Sequence, residues 1–207
     1  MKKLLHIIAT PRGNKSRTLS VSGVFLDAFL KANPGWIVDE LDLSREILPS
    51  LTAKRTEGKY ELLHDKELDG DVKDSWQEIL SHISRFMLSN AYLISTPMWN
   101  FGIPYVLKHY IDVIVQPKYL FKYTSKGVEG LVKDRRMIII TSSGGDYSLP
   151  EFSKADFMAP YLRFVFGFVG ITDLKFINAQ PMDMGEEMQG QRIKSAQEQA
   201  RMMAAKF

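Results

Sequence analysis

Three short segments of this 207-residue chain carry the side chains best suited to hold a ligand. The first, Thr10-Pro11-Arg12-Gly13-Asn14-Lys15-Ser16-Arg17-Thr18, combines hydroxyls and cations with a glycine and leads into a run of helical period. Free N–H groups and the positive dipole end at a helix start favour an anion, so its composition is that of a phosphate site. It is not a Walker A loop, because Asn14 stands where the glycine of G-K-S would be, and it lacks G-x-G-x-x-G. The plainer alternative is that Ser16 or Thr18 only caps the helix and the cations are solvated.

The second segment, Thr96-Pro97-Met98-Trp99-Asn100-Phe101-Gly102, gathers large apolar side chains around an asparagine. Trp99 and Phe101 can pack on a planar ring while Asn100 and backbone N–H groups address its polar edge. Alternatively, the loop packs against a helix or a second subunit. The third, Ser142-Ser143-Gly144-Gly145-Asp146-Tyr147, lets the backbone approach a ligand closely and turn several N–H donors one way, although a simple turn explains it equally well. One phosphate loop, one aromatic loop and one donor-rich loop together match a mononucleotide with a planar ring. Flavin mononucleotide (FMN) is the natural candidate.

The surrounding pattern says what must position these loops. Leu4 to Ala9 is nearly continuous apolar sequence, as in a strand buried on both faces of a parallel sheet. Val21, Phe25, Ala28 and Ala32 recur at helical spacing before the stop Asn33-Pro34-Gly35. Trp36 to Leu43 alternates apolar and acidic residues and reads as a strand near the sheet edge. Further strands are expected at Ala91–Ser95, Met137–Thr141 and Leu174–Ala179, with helices over Trp76–Phe86, Ile103–Ile114, Ala155–Phe166 and Ile193–Phe207. The heavily charged stretch within about 44–74 reads as a surface excursion or lid. Strands alternating with helices predict an α/β doubly wound five-stranded parallel sheet with helices on both faces, in one domain spanning 1–207. In such a sheet ligands bind outside the carboxyl ends of the strands, where all three segments lie.

The string Thr96 to Pro104, with Lys108 and Asp112 downstream, resembles the P-M-[YW]-N-F-x-I-P signature of the FMN-dependent NADH azoreductases, a flavodoxin-like family. Leu120 to Tyr123 with Gly127, Gly130 and Leu131, Ser16-Arg17-Thr18, and Ser142 to Gly145 also resemble that family's segments. The resemblance implies that Thr10, Ser16, Arg17 and Thr18 hold the FMN phosphate. It further implies that Pro97, Met98, Trp99, Asn100 and Phe101 line the isoalloxazine, and that Ser142, Ser143, Gly144 and Gly145 address its pyrimidine side. Thr10 replaces the more usual serine, and Asp146-Tyr147 stand where some relatives carry a histidine. The implied activity is two-electron, ping-pong reduction of a quinone or azo compound by NADH or NADPH, with the chemistry carried by FMN and no catalytic side chain. It implies a homodimer in which Phe121 borders the partner's pocket, with Trp99 and Tyr147 also at the acceptor.

Composition narrows the alternatives. The chain has no cysteine, which excludes disulfides and thiolate chemistry. A net charge of +3 with both signs interleaved gives no nucleic-acid stripe, and it differs from the acidic flavodoxin-type electron carriers that are the main non-enzymatic rival. Related quinone or FMN reductases are the enzymatic rivals. The four histidines lack metal-ligand spacing, so no metal is expected. No signal peptide or membrane span is read, and the expected location is the cytoplasm.

Overall fold

The computed structural model describes residues 1–207. Its central sheet contains β1 (Lys2–Ile8), β2 (Trp36–Asp42), β3 (Ala91–Pro97), β6 (Arg136–Ser142) and β7 (Asp173–Ala179), all parallel, in the order β2-β1-β3-β6-β7. A separate antiparallel hairpin joins β4 (Phe121–Thr124) to β5 (Gly127–Gly130). The sheet order reverses between β1 and β3, so a crevice opens there at the carboxyl ends.

Alternation along the inner strands divides the core between two faces. Leu5, Ile7, Tyr92, Ile94, Met137 and Ile139 face α4 (Gln77–Met87), α5 (Tyr105–Ile114) and α7 (Ala159–Phe168). Leu4, Leu93, Ile138 and Ile140 face α1 (Arg17–Ala32) and α8 (Glu186–Ala204). β2 is an edge strand with only Leu41 fully buried, as its alternating sequence predicts.

Two local readings change. The charged stretch holds two helices, α2 (Ala53–Leu63) and α3 (Gly70–Ser75). They are fixed by the Thr52 cap, by Leu62 in the core and by Trp76, whose indole N–H donates to the Arg55 carbonyl and whose ring lies where a Cβ on Gly58 would sit. The helix expected from Ala155 begins at Ala159, behind a short turn α6 (Pro150–Ser153), because Asp156 Oδ1 accepts from the N–H groups of Met158 and Ala159. The last helix starts at Glu186, whose charge with that of Glu187 complements the positive helix end.

Candidate functional site

At the carboxyl rim, the loop after β1 makes a short 3₁₀ turn over Gly13–Lys15 before α1. Ser16 caps α1, its Oγ accepting from the Leu19 N–H at 3.2 Å. The first two amides of the helix, on Arg17 and Thr18, have no protein acceptor, as helix geometry requires of its first turn. Capping and anion binding are therefore compatible here: one amide is consumed and two remain.

A cleft of about 250 Å³ lies against these amides, lined by Thr10, Arg12, Ser16, Arg17, Thr18, Pro97, Met98, Trp99, Ser142, Ser143 and Gly144, with Met182 and Asp183. Thr10, Ser16, Thr18, Ser142 and Ser143 are buried, so this is a well of hydroxyls sunk between strand ends. Thr18 Oγ1 and Ser142 Oγ are 2.7 Å apart, tying α1 to β6. Ser143 Oγ is engaged by the Gly145 carbonyl and by Gln180 Oε1.

A second hydrogen-bond chain runs beneath the well. His6 Nε2 lies 2.8 Å from Ser95 Oγ, Ser95 Oγ lies 2.6 Å from Ser22 Oγ, and Ser22 donates to the Thr18 carbonyl at 3.0 Å. With the Ser22 proton on that carbonyl, Ser95 donates to Ser22, and His6 must carry its proton on Nε2. Its Nδ1 is then a bare, buried acceptor, 3.9 Å from Glu40 Oε1. Burial pushes the His6 pKa down to about 4, against a smaller upward pull from the Asp42 carboxylate. The imidazole is neutral at neutral pH and props the strand ends under α1.

The aromatic loop is a tight reversal. Trp99 and Gly102 exchange both backbone hydrogen bonds, at 2.9 and 3.0 Å, around Asn100 and Phe101. Both central residues have positive φ, 48° and 69°, the pattern of a type I′ turn. Asparagine tolerates that region, whereas phenylalanine there costs of order 1–3 kcal/mol. The turn is held by the Phe157 N–H on the Phe101 carbonyl at 3.0 Å, and the amides of Asn100 and Phe101 are left without acceptors. The amides of Gly144 and Gly145 are likewise free.

Beyond Phe101 and Gly145 the polar cleft gives way to an apolar cavity of about 610 Å³, walled by Tyr147, Leu149, Phe152, Met184 and Met188, with Asp146 and Arg192 at its polar points. Consecutive residues, Gly144 and Gly145 or Asp183 and Met184, line the two regions, so they form one trough. On the other side of Trp99 a smaller cleft of about 360 Å³ is bounded by Pro11, Leu43, Glu46, Tyr105 and His109.

The structure thus brings together the expected residues of all three segments, with two qualifications. Phe121, expected at the partner's pocket, is within this chain buried and packed on Phe168 at 4.7 Å, and the exposed aromatic on its hairpin is Tyr123. Gly144 is small for a second reason besides ligand approach, since an added Cβ would meet Asp183 Oδ2 at 2.3 Å. Asp183 also holds Arg17 at 3.0 Å, so the cleft contains an internal carboxylate on the cation expected to meet the phosphate. Met182, Asp183, Met184, Met188 and Arg192 were missed. The loop after β7 leaves the same rim as the other three, and a fourth parallel strand end was the signal that pointed to it. No group of three or more His, Asp or Glu is placed to hold a metal ion. No helix is long and apolar enough to cross a membrane.

Fold and site define a doubly wound α/β protein with a mononucleotide-sized crevice at its switch point. Residues 2–203 match the family described as having the flavodoxin-like fold. The chain is 39% identical over 183 residues to FMN-dependent NADH:quinone oxidoreductase 1 of Bradyrhizobium diazoefficiens, covering 87% of this chain and 88% of that protein. It is 33% identical to the FMN-dependent NADH:quinone oxidoreductase of Nitratidesulfovibrio vulgaris, with all of both chains covered. An azoreductase from Bacillus anthracis superposes with a TM-score of 0.91 at 25% identity over the full length of both chains. An FMN-dependent NADH-azoreductase of the same species, solved in complex with FMN, gives 0.85 at 27% identity, covering 99% of this chain and 100% of that one. The chain belongs to the flavodoxin-like fold family, among the FMN-dependent NADH:quinone oxidoreductases.

Proposed function

We propose that this protein is an FMN-dependent oxidoreductase that uses NADH to reduce quinones and azo compounds. The observation that carries the reading is the polar cleft, where buried hydroxyls meet helix and loop amides that have no acceptor within the protein. Such a donor set fits a phosphate at one end and the polar edge of a flavin at the other. When bound, FMN supplies hydride acceptance from a nicotinamide and two-electron delivery to an acceptor, twice over for an azo bond.

The chain's own part is binding and placement. The Arg17 and Thr18 amides, with Ser16, Thr18 and Thr10 hydroxyls around them, hold the phosphate, and Arg17 balances its charge while partly shared with Asp183. Trp99 and the strained turn at Asn100-Phe101 offer a flat wall for the ring, with Met98 and Pro97 behind it. The amides of Gly144 and Gly145 supply donors where negative charge develops on a reduced ring. The apolar cavity beside Tyr147 receives the acceptor. No side chain is assigned as a proton donor or acceptor.

The names of the relatives support NADH as donor, and NADPH is the comparison to run beside it. A homodimer fits the exposed Tyr105, Phe157 and Phe164, and the exposed Tyr123 on the β4–β5 hairpin. Residues 1–207 act as one domain, since both core clusters are built on the same sheet. Dependence on NADH fits a cytoplasmic location.

The test is steady-state kinetics of the FMN-loaded protein with NADH or NADPH, a quinone and an azo dye. Parallel double-reciprocal lines are expected with both acceptors. No turnover of either acceptor by a fully loaded protein contradicts the proposal.

A further inference from the structure

The apolar half of the trough has one cation without a partner. Arg192 lines the 610 Å³ cavity from α8, is exposed, and makes no ion pair or hydrogen bond. The helix provides it none: the residues three and four positions away are Gln189, Ser195, Met188 and Ala196, none of them acidic. Asp146, the only acid on the cavity wall, forms no ion pair with Arg192; its Oδ1 accepts instead from the Ser148 N–H at 3.0 Å, the Ser148 hydroxyl at 2.5 Å and Gln180 Nε2 at 3.2 Å. The remaining walls, Leu149, Phe152, Met184 and Met188, suit an aromatic body.

We propose that Arg192 selects acceptors that carry a carboxylate or sulfonate on an aromatic ring. This rests on the reading of the trough as the acceptor site of a flavin enzyme. A guanidinium with no partner inside the protein is free to pair with an incoming anion, and an aromatic ring docked on the apolar walls beside it shields that pair from water. Its planar fork matches the two or three oxygens of such a group, while the hydrophobic walls hold the ring itself. The same walls disfavour a highly polar occupant such as the nicotinamide dinucleotide. Arg192 is thus a specificity-determining residue for the oxidative half of the cycle, one that leaves flavin loading untouched because it lies outside the polar cleft.

Calorimetric titration of the FMN-loaded protein with anthraquinone-2-sulfonate, and with neutral 2-(hydroxymethyl)anthraquinone, tests this without any need for turnover. Arg192→Ala is expected to weaken sulfonate binding about tenfold, Arg192→Lys to recover part of it, and neither to change binding of the neutral quinone. The kcat/KM for the sulfonate should fall by the same factor, with flavin reduction by NADH unaltered. Equal sulfonate affinity in wild type and Arg192→Ala overturns the proposal, as does equal loss for both quinones or an effect confined to NADH. A wild-type protein that binds the sulfonate through Arg192 yet never turns over would contradict the enzymatic reading alone.

Discussion

In the polar half of the trough, side chains are held by the protein's own hydrogen bonds. Thr18 is tied to Ser142, Ser16 to the Leu19 amide, and Ser22 and Ser95 to a buried neutral His6. In the apolar half, Leu149, Phe152 and Met184 are exposed and carry no comparable ties. The first arrangement is preorganised for one invariant group, which lowers the cost of ordering on binding. The second leaves flexible and aromatic surface that adapts to different flat molecules, as methionine does at permissive binding surfaces. A cofactor site and an acceptor site therefore meet along the Trp99–Phe101 turn, rigid on one side and yielding on the other.

Acid should break the polar half first. His6 has a pKa of about 4 in the fold against 6.5 unperturbed, so the unfolded chain binds more protons between those values and stability falls as pH drops through that window. The full span corresponds to about 3 kcal/mol. Burial lowers the His82 pKa too, adding a loss of the same sign. Urea unfolding at pH 7 and near pH 4 should show this loss in wild type and a smaller one in His6→Leu; an unchanged pH dependence in that variant would remove His6 from the scaffold. Next in size, Arg17→Ala should weaken FMN binding about thirtyfold, by loss of a charge-assisted contact of about 2 kcal/mol, as read by flavin fluorescence quenching. Trp99→Ala, at the junction, should cost FMN about fivefold in affinity, near 1 kcal/mol, and shift the ratio of quinone to azo turnover. Phe152→Ala should change FMN affinity by less than twofold while lowering kcat/KM for bulky acceptors; a larger loss of FMN than of acceptor would erase the division between the halves.

The division also explains what could be read from the residues alone. Leu4–Ala9 and Met137–Thr141 announce buried parallel strands because both their faces are covered, and the loops that leave them must reach the same rim. The polar half was legible because its chemistry sits in contiguous segments. The apolar half was not: the run Leu174–Ala179 marks a strand whose end points to the rim, but not that β7 pairs with β6, Ser142 beside Ala179, which brings Met184, Met188 and Arg192 to the other loops. Helix α2 was hidden for a related reason: its sequence is highly charged, and its stability comes from Leu62 and the Trp76–Gly58 contact. The β4–β5 hairpin escaped because Lys122, Tyr123 and Thr124 are exposed in a strand of four residues. The resemblance alone placed Phe121 at the partner's pocket; within one chain its ring packs on Phe168.

The claim on which the rest depends is that the polar cleft takes FMN, and titration of the flavin-free protein with FMN measures it directly. The account predicts saturable quenching of flavin fluorescence at one FMN per chain, a visible spectrum that bleaches on adding NADH, and weaker binding in Arg17→Ala. No binding at saturating FMN, or binding that Arg17→Ala leaves unchanged, would contradict it.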